Sequence, residues 1–154
     1  MKKTVLIMWL MVTICSAFKC NKEEESKACV SGPLAIKTLE SEYGCTNTAM
    51  QLNINLSNNY RLINSTAEFT SLVTGSCMPA IDFSQYTLLI GKQSLNGGLS
   101  NISYVANKDC STGGYVVNVT ITKNLALQAP NVTYHLLLPK IQNNSSLQVN
   151  TTVQ

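Results

Sequence analysis

The chain has 154 residues, 45% of them hydrophobic and 12% charged, with a formal net charge of +3. That length suits one domain with processed ends, and the apolar share excludes wholesale disorder. Of the 11 basic residues, Lys2, Lys3 and Lys19 fall in an N-terminal leader, which leaves eight against eight acidic residues; the remainder is neutral, its cations are scattered, and nothing supports nucleic-acid binding.

Residues 1–19 read as a signal peptide. Lys2 and Lys3 form a positive start, and Thr4 to Ile14 is an apolar run too short to span a bilayer comfortably. Two processing sites are open. One is an ordinary cut near Ala17. The other is a bacterial lipoprotein cut before Cys20, which would then carry the lipid. The acidic run Asn21 to Ser26 suits a tether over residues 20–28 and resembles the stretch after the acylated Cys of Gram-negative surface lipoproteins. Cysteine parity agrees, because lipidation of Cys20 leaves Cys29, Cys45, Cys77 and Cys110, an even number. Against it, Lys19 stands where a small residue normally precedes the lipidated Cys. Either site places residues 29–154 outside the cytoplasm.

The domain then unfolds in chain order. Val30 to Gly44 has weak periodicity. Ala49–Leu56 alternates, predicting a strand with Met50, Leu52, Ile54 and Leu56 on one face. A turn at Ser57-Asn58-Asn59 leads to a strand over Tyr60–Ile63. Ser65 and Glu68 form a capping-box pattern ahead of a short helix, Thr66–Val73, that Gly75 ends. Tyr86–Gln93 is apolar on both faces, as a central strand would be. Asn96-Gly97-Gly98 is a turn. Leu99–Ala106 is a strand with Ile102 and Tyr104 together, and Asn107–Gly114 is a loop. Tyr115–Thr122 alternates cleanly, with Tyr115, Val117, Val119 and Ile121 inward and Asn118, Thr120 and Thr122 outward. Asn131–Pro139 and Ser146–Val153 complete the set. The predicted fold is mainly β (α+β): an antiparallel β-sandwich or open barrel with one short helix.

Four cysteines in an exported domain predict two structural disulfides. Three connectivities are possible. The preferred pairing is Cys29–Cys45 and Cys77–Cys110, each closing a loop of moderate length. No CxxC spacing occurs and His135 is the sole histidine, so no metal or cofactor is expected. His135 is expected as a partly exposed strand residue beside Thr133 and Leu137. Asp82 reads as a turn aspartate at a strand entrance, and nothing brings it to Asp109. Ser111 to Tyr115 is a hairpin connection, because phosphate loops precede helices. Asn-x-Ser/Thr occurs at Asn55, Asn64, Asn101, Asn118, Asn131, Asn143, Asn144 and Asn150; in a bacterial protein these mark exposed strand faces only.

Within Leu62–Lys140, the order Ile63-Asn64-Ser65, Glu68 to Leu72, Ile81-Asp82-Phe83-Ser84-Gln85-Tyr86, Gly91-Lys92 and Tyr134 to Pro139 resembles small envelope proteins related to the C-terminal domain of the protease-complex subunit PrcB. The resemblance covers about half the chain. The family's Thr-Gly-Gly-Tyr follows its Gly-x strand closely, whereas Thr112 to Tyr115 comes one strand later. The resemblance implies a β-rich fold without catalytic residues and carries no site residue over.

The leading expectation is a non-catalytic cell-envelope protein, anchored to a membrane through an N-terminal lipid and facing periplasm or exterior. It would bind a protein or glycan partner, with no catalytic residue and no enzyme activity. The alternatives are a regulatory subunit of a periplasmic protease, on the resemblance alone, and a secreted hydrolase or isomerase using Asp82, Asp109 or His135.

Overall fold

The computed structural model describes residues 29–141 and 145–154. The expected signal peptide, the expected lipidation at Cys20, the expected acidic tether, Asn143 and Asn144 lie outside the described residues. The chain forms nine strands and three short helices: β1 (Gly32–Pro33), α1 (Leu39–Tyr43), α2 (Thr48–Gln51), β2 (Leu52–Ile54), β3 (Asn59–Ile63), α3 (Thr66–Leu72), β4 (Val73–Gly75), β5 (Tyr86–Ser94), β6 (Gly98–Asp109), β7 (Gly114–Asn124), β8 (Asn131–Pro139) and β9 (Leu147–Val153). The fold is mainly β in the α+β sense, as expected, and among the described residues no barrel closes.

Three sheets share the strands: β1-β6-β7-β9, β3-β5-β8 and the small pair β2-β4. The three-stranded sheet is the middle layer. Along β8, Val132, Tyr134, Leu136 and Leu138 pack with Val117, Val119 and Ile121 of the four-stranded sheet. Leu137 on the other face joins Leu88 and Ile90 of β5, and they pack against Leu39, Phe69 and Val73 from the helices and β4. A strand covered on both faces can be apolar at successive positions, which accounts for Leu88-Leu89-Ile90 and Leu136-Leu137-Leu138, all fully buried.

β7 keeps its predicted alternation: Val117, Val119 and Ile121 are fully buried and Asn118 is exposed, while Tyr115, Thr120 and Thr122 are half-buried. The helix α3 is capped as its sequence predicts, with the Ser65 hydroxyl accepting the Glu68 N–H at 3.2 Å. The Glu68 carboxylate reaches back to the Asn64 N–H at 3.3 Å, and not to that of Ser65.

Five expectations need correction. Ala49–Leu56 is no single strand: Asn47 takes a left-handed conformation (φ 51°), one helical turn follows, and only Leu52–Ile54 is extended, which leaves Met50 exposed. Three helices stand in place of one. The predicted helix Thr66–Val73 stops at Leu72, because Val73–Gly75 pairs with β2. The expected loop Asn107–Gly114 narrows to its tip, since β6 stays paired with β7 as far as Asp109↔Gly114. The pairing is not all antiparallel, because β9 runs parallel to β7. β8 lies between them in sequence but belongs to the middle sheet, so the chain leaves the outer sheet after β7 and returns in the same direction.

The disulfides are also a correction. They are Cys29–Cys110 and Cys45–Cys77, with Cα atoms 5.7 and 5.8 Å apart, and not Cys29–Cys45 and Cys77–Cys110. β1 pairs with β6 at Gly32↔Lys108, which carries Cys29 to the β6–β7 turn. Cys45, just after α1, and Cys77, just after β4, meet in the cluster beneath the middle sheet. Loop length favours the other pairing; long-range strand and helix packing overrides it. All four cysteines are oxidised, which fits an extracytoplasmic compartment. Among the described residues no helix is long and apolar enough to cross a membrane.

Candidate functional site

The site grows from the face of β8 that carries Thr133, His135 and Leu137. Opposite it the chain makes two short helices. α1 begins at Thr38, whose side chain accepts the Ser41 N–H, while the Ser41 hydroxyl accepts the Thr38 N–H. It ends at Gly44 in the left-handed region (φ 69°), where glycine costs nothing. Five residues are too few to be helical alone; the two caps, buried Leu39 and the Cys45–Cys77 bridge hold the turn. The backbone pairing of Lys37 with Leu137 sets α1 against β8. Glu40 and Thr48, the first residue of α2, thereby reach His135.

His135 is 2% exposed, so the expected partly exposed imidazole is corrected to a buried one. The reason is the helical layer, which local alternation could not reveal. Its Nε2 lies 2.6 Å from the Thr48 hydroxyl and 3.4 Å from a Glu40 carboxylate oxygen. The Thr48 hydroxyl donates to the other Glu40 oxygen. A hydroxyl has one proton, so Thr48 must accept from Nε2–H. Nε2 of His135 therefore carries a proton, and its buried Nδ1 has no partner.

Partial burial raises the Glu40 carboxyl, but the His135 and Thr48 hydrogen bonds outweigh it and hold it at about 2. Glu40 is an anion at neutral pH. Burial pushes the Tyr104 phenol up, partly offset because its oxygen accepts the His135 backbone N–H at 3.1 Å.

These groups line a cleft of about 340 Å³. Its other wall is the start of β6, where the register shifts between Leu99 and Asn101. A bulge re-aims side chains: Leu99, Ser100, Asn101, Ile102 and Tyr104 all line the cleft, Leu99, Ile102 and Tyr104 also packing against the core and Ser100 and Asn101 exposed. A second hollow, about 670 Å³, lies by the β7–β8 loop around the exposed Leu125 and Leu127, with Asn96, Lys123, Asn124, Gln128 and Gln154 as its polar lining; it contains no carboxylate side chain and no histidine.

The arrangement differs from that of a nucleophilic triad. In a nucleophilic triad the carboxylate orients the imidazole from the nitrogen opposite the nucleophile. Here carboxylate and hydroxyl meet the same nitrogen, and the Thr48 proton points to Glu40, away from any base on the ring. Asp82 and Asp109 do not join: Asp82 is exposed and Asp109 half-buried, and each carboxylate accepts from its own turn, Asp82 from Ser84 and Gln85, Asp109 from Ser111 and Thr112. Those bonds lower both carboxyls. Asp82 is thus the turn aspartate its sequence predicts. The described residues hold no group of three His, Cys, Asp or Glu that could bind a metal.

Of the residues weighed for chemistry from sequence, His135 alone lines the cleft. Asn101 was read only as an Asn-x-Ser position and Tyr104 only as a strand-face residue, and Glu40 and Thr48 went unmarked. Thr38 and Gly44 bracket a helix in sequence and could have flagged Glu40. Nothing local could bring Thr48 to His135, 87 residues away. Compared with protein-family models, curated proteins and solved structures, the chain finds no match in any of the three.

Proposed function

We propose that the chain is a non-catalytic cell-envelope domain, lipid-anchored at Cys20, that binds a glycan in the cleft between β6, β8 and α1. The observation that supports this is the convergence of an ionised carboxylate (Glu40), an exposed amide (Asn101) and the hydroxyls of Thr38 and Ser100 beside the apolar Leu99 and Ile102, in about 340 Å³. Sugars present alternating donors and acceptors around apolar C–H faces. That volume sits at the small-ligand end of protein pockets, and a concave polar cleft suits a saccharide unit better than a protein surface. The anchor is supported by the leader, the acidic tether and the even cysteine count that remains.

Saturation-transfer NMR of the full chain with envelope-derived oligosaccharides tests the reading. Binding should fall at least about tenfold, or 1.4 kcal/mol, in Glu40→Gln and in Asn101→Ala. Absence of any saccharide binding, or binding indifferent to both changes, would overturn it. The anchor has its own test: Cys20→Ser should release the protein from membranes and abolish fatty-acid labelling, and unchanged retention would refute it.

A further inference from the structure

The inference concerns the outer edge of the four-stranded sheet and is independent of the cleft. Sheet edges are normally blunted by charge, proline, brevity or cover. Three of the four long-sheet edges here obey. β1 is two residues long and contains Pro33. β3 carries Arg61. The free side of β8 is bridged by Lys37 through two backbone hydrogen bonds with Leu137, and the Leu52 carbonyl accepts the Thr133 hydroxyl beside it. β9 does not obey. Leu147-Gln148-Val149-Asn150-Thr151-Thr152-Val153 holds no charge and no proline, and among the described residues it pairs on one side only, with β7.

The ladder shows which backbone groups are free. Ser146 and Gln154 turn their backbone to β7: the Tyr115 N–H donates to the Ser146 carbonyl and the Lys123 N–H to that of Gln154. In a parallel ladder this side alternates. The N–H and C=O groups of Leu147, Val149, Thr151 and Val153 therefore face outward.

We infer that this edge pairs antiparallel with the same edge of a second copy, about a two-fold axis through Asn150. That axis lies at the middle of the strand, so all 7 of its residues find a partner. Leu147 would face Val153 of the other copy and Val149 would face Thr151, on the side that packs against the core; Gln148 would face Thr152, and Asn150 its own counterpart, on the solvent side. The free groups fall in register, because Leu147/Val153 and Val149/Thr151 are the outward-facing positions and become the hydrogen-bonded pairs. Asn150 sits on a non-hydrogen-bonded pair. No charge opposes a like charge. A continuous sheet across two copies removes the exposed edge from both.

Sedimentation velocity of the purified full chain up to about 100 µM should show a dimer. Thr151→Pro removes an outward N–H at a position where an edge strand tolerates proline. Asn150→Lys sets two ammonium groups opposite each other on the axis. Each should weaken the dimer at least about tenfold while circular dichroism stays that of the parent. On mild oxidation Asn150→Cys should cross-link two chains, since a non-hydrogen-bonded pair brings Cα atoms to about 4.5 Å, within disulfide range; Gln148→Cys should not. A chain monomeric throughout the range, as it would be if residues 1–28 covered the edge, overturns the inference. So does a dimer indifferent to both substitutions, or one that cross-links through position 148 in preference to 150.

Discussion

Gly91 has no room for a side chain: a Cβ there would lie 2.1 Å from the Tyr134 ring, which rests on the backbone of β5. Tyr134 is fixed between the sheets, with its hydroxyl 3.4 Å from that of Thr151. Gly91→Ala must push the ring out of a close-packed layer, and should cost about 1–3 kcal/mol in denaturant melts; a neutral result would mean that the ring is free to swing. Glu40 makes a pH prediction at the same scale. Its carboxyl falls from an ordinary 4.5 to about 2 in the folded chain. A depressed folded value means that the contribution is fully present above 4.5 and is lost as pH falls toward 2. Glu40→Gln lacks this dependence, so its stability deficit against the parent should shrink across that window. The side chain is 39% exposed, so solvent screening keeps the amplitude modest. A deficit constant with pH would show that His135 and Thr48 do not hold the carboxylate.

Among the elements, β7 and α3 follow their sequences most closely, because each carries its signal locally. β7 pairs with β6 on one side and β9 on the other, so its two faces are set by alternation alone. Val119→Ala should cost about 1–3 kcal/mol through methyl loss and a residual cavity. Asn118→Ala, on the exposed face, should cost far less; the reverse ranking would place the strand one residue out of register. Ser65→Ala removes the acceptor for the Glu68 N–H and should cost about 1 kcal/mol, read as a shift of the denaturation midpoint. α2 shows the opposite case. Ala49, Met50 and Gln51 fall within the run Ala49–Leu56 that reads as a strand, but the chain makes a helical turn there, and Thr48 is buried against His135 and Glu40.

Across the whole molecule, the two bridges tie distant segments. Cys29–Cys110 spans 81 residues and Cys45–Cys77 spans 32. By loop-closure entropy they are worth roughly 4.5 and 3.7 kcal/mol, the longer loop more. Replacing either pair by Ala should lower stability by several kcal/mol. Cys29 is exposed beside a two-residue strand, so fraying of the released end should bring the Cys29–Cys110 loss below its loop value. Cys45–Cys77 lies in the core cluster and should show its full effect or more. Peptide mapping of unreduced protein should recover Cys29–Cys110 and Cys45–Cys77; a Cys29–Cys45 peptide would contradict the packing of β1 on β6.

Sequence by itself determined what is local or compositional. The strand β7 reads from its period of two, the cap of α3 from Ser65 and Glu68, and the middle strand β5 from apolar residues on both faces. The number of disulfides follows from an even cysteine count. Tertiary structure alone decided which cysteine meets which, that β9 returns parallel to β7, and that His135 is buried with Glu40 and Thr48. Each of these is a contact between segments far apart in the chain. Local propensity assigns such contacts no energy; they form only when burying both faces of the middle sheet brings the segments together.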